Sequence, residues 1–289
     1  PAGVFNVVFG GGKDAAGQYM IELMDDGLVD KLAFTGSSAV GRYVGDVAGR
    51  NLQHPTLELG GKNPIIIFPD ADPVKAAAAA IKGMNMNRQG QSCSSTSRVM
   101  VHASLHEPVL KELKKQAEAL SIGAPWIESN ELGPIVSQRQ YDRVMGYINS
   151  AKSEGASLVT GGGQPSDGKL HNGFFIAPTG FDAVKPTMRI AREEIFGPVM
   201  SVFQWDDYEQ LLKQANELEY GLTAAIVTNN LAQAMETARR VEAGYVWINS
   251  SGRYLGAPYG GWKSSGIGQE ECFDELLSYT QIKNINMRW

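Results

Sequence analysis

The feature that most constrains this chain is an unbroken alternation of strand-length apolar runs and helix-length amphipathic segments. Strand signals fall at residues 4–9, 31–35, 56–59, 64–68, 98–101, 157–159, 199–205, 222–227 and 245–249; helical signals fall at 15–24, 73–87, 104–120, 138–153, 207–217 and 231–242. Strands separated by helix-length crossovers run parallel, because a tight turn cannot reach a parallel neighbour. The expectation is an α/β fold whose ligands lie beyond the carboxyl ends of its strands. Local punctuation agrees. Pro73 suits a first helical turn, Ser104-Leu105-His106-Glu107 spells a capping box, and Gly244 stands where it would close the preceding helix. Residues 161–173 read as a surface loop. The tail, 282–289, alternates Ile285, Met287 and Trp289 against Asn284, Asn286 and Arg288, the pattern of an edge strand for this subunit or a partner. No internal repeat interrupts the alternation.

Composition narrows the class. Lys plus Arg is 26 and Asp plus Glu is 31, a net charge of −5, so the basic excess of a nucleic-acid binder is missing. The apolar run at 76–81, between Lys75 and Lys82, is far too short to span a bilayer. Two cysteines, Cys93 and Cys272, make no disulfide framework and fit a reducing compartment. His54, His102, His106 and His171 show no metal-ligand spacing, so no metal is expected. Without a Gly-x-Ser-x-Gly elbow, a serine hydrolase is disfavoured. A soluble, cytoplasmic protein with no nucleic-acid or membrane partner is expected. The chain opens Pro1-Ala2-Gly3-Val4 with no initiator Met and no signal-peptide pattern, as if it began inside a fold.

Two side chains stand out as chemical. Cys93 lies in Gly90-Gln91-Ser92-Cys93-Ser94-Ser95-Thr96, past the Ala-rich helix and before a strand. Free cysteine is commonly a small core hydrophobe, but polar flanks at an irregular helix–strand junction suit a nucleophile. Cys272, among Glu270, Glu271 and Asp274, is the poorer nucleophile. Glu58, in Leu57-Glu58-Leu59-Gly60-Gly61-Lys62, is either an edge residue facing water or an inward acid, and the two glycines leave room for a ligand beside it. Buried, such an acid serves as a general base near neutral pH. Two glycine turns compete for a phosphate. Gly10-x-Gly12-x-x-Ala15, with Asp30 further on, formally fits a dinucleotide fingerprint. Phe34-Thr35-Gly36-Ser37-Ser38 also leaves a strand and enters a helix, whose free first-turn N–H groups suit a pyrophosphate.

Taken in order, Phe34-Thr35-Gly36-Ser37, Leu57-Glu58-Leu59-Gly60-Gly61-Lys62, Gly90-Gln91-Ser92-Cys93, Glu193-Glu194-Ile195-Phe196-Gly197-Pro198 and Gly260-Gly261-Trp262-Lys263-Ser264-Ser265-Gly266 span essentially the whole chain. Together they resemble the NAD(P)-dependent aldehyde dehydrogenase superfamily. The resemblance implies a partial Rossmann-type cofactor domain at residues 1–60, an α/β catalytic domain with a parallel sheet at 61–264, and a segment at 265–289 bearing an oligomerisation strand. It implies oxidation of a small-molecule aldehyde by NAD or NADP in a homodimer or homotetramer. Cys93 matches the nucleophile that forms a hemithioacetal and then a thioester. Glu58 matches the base that activates the hydrolytic water. Gly36 and Ser37 match the cofactor turn, which makes the earlier fingerprint a decoy. Glu194 matches the nicotinamide-ribose ligand and Phe196 its neighbour at the ring, with Gln140 and Arg143 also near the cofactor. Ser92, Ser94, Tyr254 and Tyr259 match the aldehyde pocket, and Tyr259, Trp262 and Gln269 depart from the commoner family residues. Family members carry a long portion ahead of the segment matched by Pro1, supplying half of the cofactor domain and an oxyanion asparagine. Two competing functions are a cofactor-independent thiol esterase and a folded but inactive module. Arg253 fits a solvated loop residue better than a ligand for an acid-bearing substrate.

Overall fold

A computed structural model describes residues 1–9 and 15–289. In chain order its elements are α1 (Ala15–Asp25), β1 (Ala33–Thr35), α2 (Ser38–Arg50), β2 (Thr56–Glu58), β3 (Pro64–Ile67), α3 (Pro73–Gly83), β4 (Arg98–His102), α4 (His106–Glu118), α5 (Gln138–Ser153), β5 (Ser157–Thr160), β6 (Thr179–Asp182), α6 (Arg189–Arg192), β7 (Val199–Trp205), α7 (Tyr208–Asn216), β8 (Tyr220–Gly221), β9 (Thr223–Val227), α8 (Leu231–Arg240), β10 (Tyr245–Ile248), β11 (Trp262–Lys263), β12 (Gly266–Ile267) and α9 (Phe273–Leu277). The fold is α/β, as the alternation predicts.

The larger sheet has the order β10-β9-β3-β4-β7-β6-β5. Every pairing in it is parallel except β5 with β6, an antiparallel edge. Because successive side chains on a strand face opposite sides, β3 feeds two cores. Ile65 and Ile67 pack with the alanines of α3 and with Val109 and Leu113 of α4, while Ile66 and Phe68 pack with Val144 and Ile148 of α5 and Leu211 of α7. A strand buried on both faces reads as a continuous apolar run, which is how residues 64–68 look. The smaller sheet has the order β1-β2-β12, with β1 parallel and β12 antiparallel to β2. A third core of Ile21, Met24, Val44, Val47, Leu57 and Leu59 joins it to α1 and α2. Strand β2 thus belongs to one sheet and β3 to the other, and the stretch 56–68 that links them is buried throughout.

Several local expectations are corrected. Residues 4–9 form no strand: Val4, Phe5, Val7, Val8 and Phe9 are 63–91% exposed, and an isolated strand leaves its ladder groups unpaired. Of the two pairings that the alternation in 282–289 allowed, the one within this subunit is absent among the described residues, where the tail lies exposed. The Gly10-x-Gly12 fingerprint falls on residues outside those described. Ser104 does not open a capping box. A 3₁₀ turn covers Ala103–Leu105, the His102 imidazole accepts the Ser104 N–H at 3.2 Å, and α4 starts at His106. Helix α3 stops at Gly83, four residues early, because Asn85 and Gln89 take left-handed conformations around a short 3₁₀ turn. Gly244 is not a left-handed helix stop. Helix α8 closes on Val241 in extended conformation, and Gly244 is required because a Cβ there would run into the Gly260 carbonyl. No helix among the described residues is long and apolar enough to cross a membrane.

Candidate active site

Glu58 and Cys93 come from different parts of the fold, Glu58 from the smaller sheet and Cys93 from a loop tied to the start of β3 in the larger one. Glu58 ends β2, between β1 and β12, and its carbonyl accepts the Gly36 N–H at 3.0 Å. Its side chain is 2% exposed, and neither carboxylate oxygen has a hydrogen-bond partner. Burial pushes its pKa up from 4.5 to about 8, helped by the negative charges of Glu270, Glu271 and Glu275 and opposed by Arg253. Of the two sequence readings, the inward acid is the one the fold adopts.

Cys93 sits in the irregular segment between α3 and β4, half-buried. Its backbone is held from the start of β3: Asn63 Nδ2 donates to the carbonyls of Cys93 at 2.7 Å and Ser95 at 3.0 Å, and Asn63 Oδ1 accepts the Thr223 N–H at 3.0 Å. Ser95 Oγ donates to the Met84 carbonyl, closing the loop on the end of α3. Gly61 permits this approach, since a Cβ there would lie 2.5 Å from the Cys93 carbonyl. Burial raises the thiol's pKa, and the charges of Glu194 and Glu58 raise it further. The Tyr259 hydroxyl and Arg253 act the other way. Ser92 and Ser94 hydrogen-bond to each other through their hydroxyls at 3.0 Å.

The turn at Glu194 closes over the same glycines. Glu194 Oε1 accepts the Gly61 N–H at 3.1 Å, and a Cβ on Gly60 would stand 2.6 Å from Oε2. Gln140 and Arg143 on α5 do not reach outward. Gln140 Nε2 donates to the carbonyls of Ile195 and Phe196, and Arg143 to that of Glu194, so both brace the turn's backbone. Phe196 takes a left-handed conformation at φ 57 and is partly exposed. Gly36 and Ser37 lie exposed at the N-terminus of α2, where Ser37 Oγ accepts the Val40 N–H and Ser38 Oγ is occupied by the Ser264 carbonyl. Tyr259 is buried beside the thiol, whereas Tyr254 is 67% exposed. Arg253 is not a free loop residue, because it pairs with Glu271 and stacks on the Tyr259 ring.

Sequence reasoning missed Asn63 and Lys62. Lys62 is 1% exposed with no partner for its ammonium, and burial, reinforced by Arg98, lowers its pKa to about 7. The available signal was a polar pair, Lys62-Asn63, set directly before the all-apolar strand at 64–67. No cluster of potential metal ligands occurs among the described residues.

The sequence matches the aldehyde dehydrogenase family over residues 1–285. An aldehyde dehydrogenase of Talaromyces stipitatus is 44% identical over 99% of this chain and 56% of its own length, and a betaine aldehyde dehydrogenase of Mesorhizobium japonicum is 42% identical over 99% and 58%. The NAD+ complex of an aldehyde dehydrogenase from Bacillus cereus superposes with a TM-score of 0.87 at 41% identity, covering 93% of this chain and 53% of that one. This chain therefore spans a little over half the length of the curated relatives it matches. Agreement of sequence and fold along almost every residue described leaves one conclusion: the chain belongs to the aldehyde dehydrogenase family.

Proposed function

We propose that this chain contributes the nucleophile and base of an enzyme that oxidises a small-molecule aldehyde to a carboxylic acid with NAD or NADP. The observation that carries the reading is a buried Glu58 carboxyl with no partner, near enough to bear on the charge of the Cys93 thiol, whose own loop closes on Gly61 through its backbone carbonyl. As a thiolate, Cys93 attacks the carbonyl carbon, forming a C–S bond and placing the electron pair on oxygen. When bound, the nicotinamide supplies the hydride acceptor that takes the hemithioacetal to the thioester. Glu58, ionised, then takes a proton from water as the water adds to the thioester carbon, and collapse of the adduct releases the acid and the Cys93 thiolate.

The residues present fit such a cofactor. Helix α2 has 13 residues and offers the first-turn amides of an exposed N-terminus at Gly36 and Ser37, where a pyrophosphate would sit. Glu194 has one oxygen fixed by Gly61 and the other turned over the gap at Gly60, where it would hold a ribose hydroxyl. Phe196 would pack beside the nicotinamide, with Gln140 and Arg143 bracing the turn. Ser92, Ser94, Tyr254 and Tyr259 are assigned to the aldehyde pocket. The units are taken as residues 1–60 for part of the cofactor domain, 61–264 for catalysis and 265–289 for a terminal segment that joins a homodimer or homotetramer. A cofactor-free thiol esterase is not favoured by the relatives. The test is formation of reduced cofactor by this chain with an aldehyde panel, beside Cys93→Ala. A signal that survives Cys93→Ala would refute the nucleophile, and no signal with wild-type protein would refute activity of this chain by itself.

A further inference from the structure

Glu193 and Glu194 are neighbours with opposite surroundings. Glu193 follows α6 in extended conformation, and successive side chains on extended backbone point opposite ways. Glu194 reaches the Gly61 N–H. Glu193 enters a clamp built from two helices. Arg189 of α6 donates to Oε1 through Nε at 3.0 Å and to Oε2 through Nη2 at 3.1 Å, and the Tyr147 hydroxyl of α5 donates to Oε2 at 2.7 Å. The Arg189 and Arg143 guanidinium groups lie 4.8 and 5.8 Å from the centroid of the Tyr147 ring. The backbone N–H of Arg189 is in turn accepted by Glu154, the residue that closes α5, at 2.9 Å.

Gln140, Arg143 and Tyr147 are spaced i, i+3, i+7, which places them on one face of α5. That face meets the turn residue by residue. Gln140 donates to the carbonyls of Ile195 and Phe196, Arg143 to that of Glu194, and Tyr147 to the side chain of Glu193. We propose that Glu193 and Tyr147 are positioning residues: anchored on α5 and α6, they fix the turn so that the Glu194 carboxylate meets the cofactor ribose at the gap over Gly60. The proposal rests on Glu194 being the ribose ligand. A half-exposed Arg–Glu pair contributes little when it stands alone. This one has a third member in Tyr147, and both oxygens of Glu193 are engaged. The Arg189 hydrogen bond also holds the Glu193 carboxyl below the usual carboxylate range, which keeps it the charged acceptor the clamp needs. A ligand group aimed in advance spares binding the cost of ordering it. One acid of the pair thus serves the cofactor and the other serves its neighbour.

The first readout needs no cofactor. Hydrogen exchange of the Gly61 amide in the 289-residue chain, resolved by mass spectrometry, follows the one backbone donor that the Glu194 carboxylate accepts. Tyr147→Phe and Glu193→Gln are each expected to speed that exchange about ten-fold, the size of one hydrogen bond to a charged group. Thermal melting reports whether each variant is folded. The second readout is NADH binding, followed by its fluorescence. Glu193→Gln is expected to weaken binding about ten-fold by itself and to add nothing in a chain already carrying Glu194→Gln, because an anchor that acts through Glu194 then has nothing left to aim. Unchanged Gly61 exchange in both folded variants would overturn the positioning role and leave the ribose ligand standing. So would equal weakening with and without Glu194→Gln, which is what a general loosening gives. NADH bound equally by wild type and Glu194→Gln, or not bound by wild type, would overturn the ribose ligand and the proposal with it.

Discussion

Glu58 and Lys62 lie four positions apart in a fully buried stretch, and both are ionisable groups without partners. Their effects on stability oppose one another with pH. Glu58 holds its proton more tightly in the folded chain, so between about 4.5 and 8 the folded state binds more protons and stability falls as pH rises. Lys62 binds its proton less tightly when folded, so between about 7 and 10.5 the unfolded state binds more protons and stability rises with pH. Melting temperatures measured across this range are expected to lose the falling limb in Glu58→Gln. In Lys62→Met they are expected to lose the rising limb, with the variant's gain over wild type largest below pH 7. In the proposed mechanism the ionised Glu58 is the useful form, so thioester hydrolysis is expected to climb through pH 8. Glu58→Gln should slow it by roughly 100- to 10,000-fold, seen as acyl-enzyme that accumulates on Cys93 in a quenched-flow experiment. Cys93 and Glu58 stood out in the sequence because their flanks were wrong for a core cysteine and for a surface acid. Asn63 and Lys62 did not: Asn63 matters through contacts across the fold with Cys93, Ser95 and Thr223, and Lys62 through the burial of its ammonium without a partner, neither of which local sequence displays.

At the scale of elements, the join between β3 and the Cys93 loop is made by one amide side chain. Asn63→Ala removes donors to two carbonyls and leaves the buried Thr223 N–H unpaired. The expected loss is about 2–4 kcal/mol in urea denaturation, with faster proteolysis in residues 89–97. Asp72→Ala is a milder case: it deletes the cap on the Lys75 N–H at the start of α3 and should cost about 1 kcal/mol. Most strands and helices were legible because period and apolar length follow from burial. The misreadings share a cause, competition between partners that sequence does not rank. His102 took the amide that Ser104-x-x-Glu107 seemed to reserve, and Gly244 answered to a neighbouring backbone instead of its own helix.

For the whole molecule, the alternation was enough to give a parallel α/β sheet, and it gave no notice that β12 would return to the first sheet or that β5 would run antiparallel. It also took residues 4–9 for a strand and allowed 282–289 a pairing within this subunit, since an alternating pattern records a preferred face but not whether a neighbour is present. Deleting 282–289 should leave the melting temperature unchanged, because those residues bury nothing in this chain, while sedimentation shifts toward smaller species if the tail joins copies. The two sheets are tied by residues 59–63, which lead from Glu58 to the strand whose start holds the Cys93 loop. Length there is as fixed as chemistry. One residue added after Gly60 would move Glu58 relative to Cys93 by most of the 3.8 Å between successive Cα atoms, and would take the Gly61 N–H from Glu194 as well. Variation by insertion is thus barred from these five positions and open in loops such as 161–173, so change in chain length can occur around the Glu58–Cys93 pair but not between its members by this route.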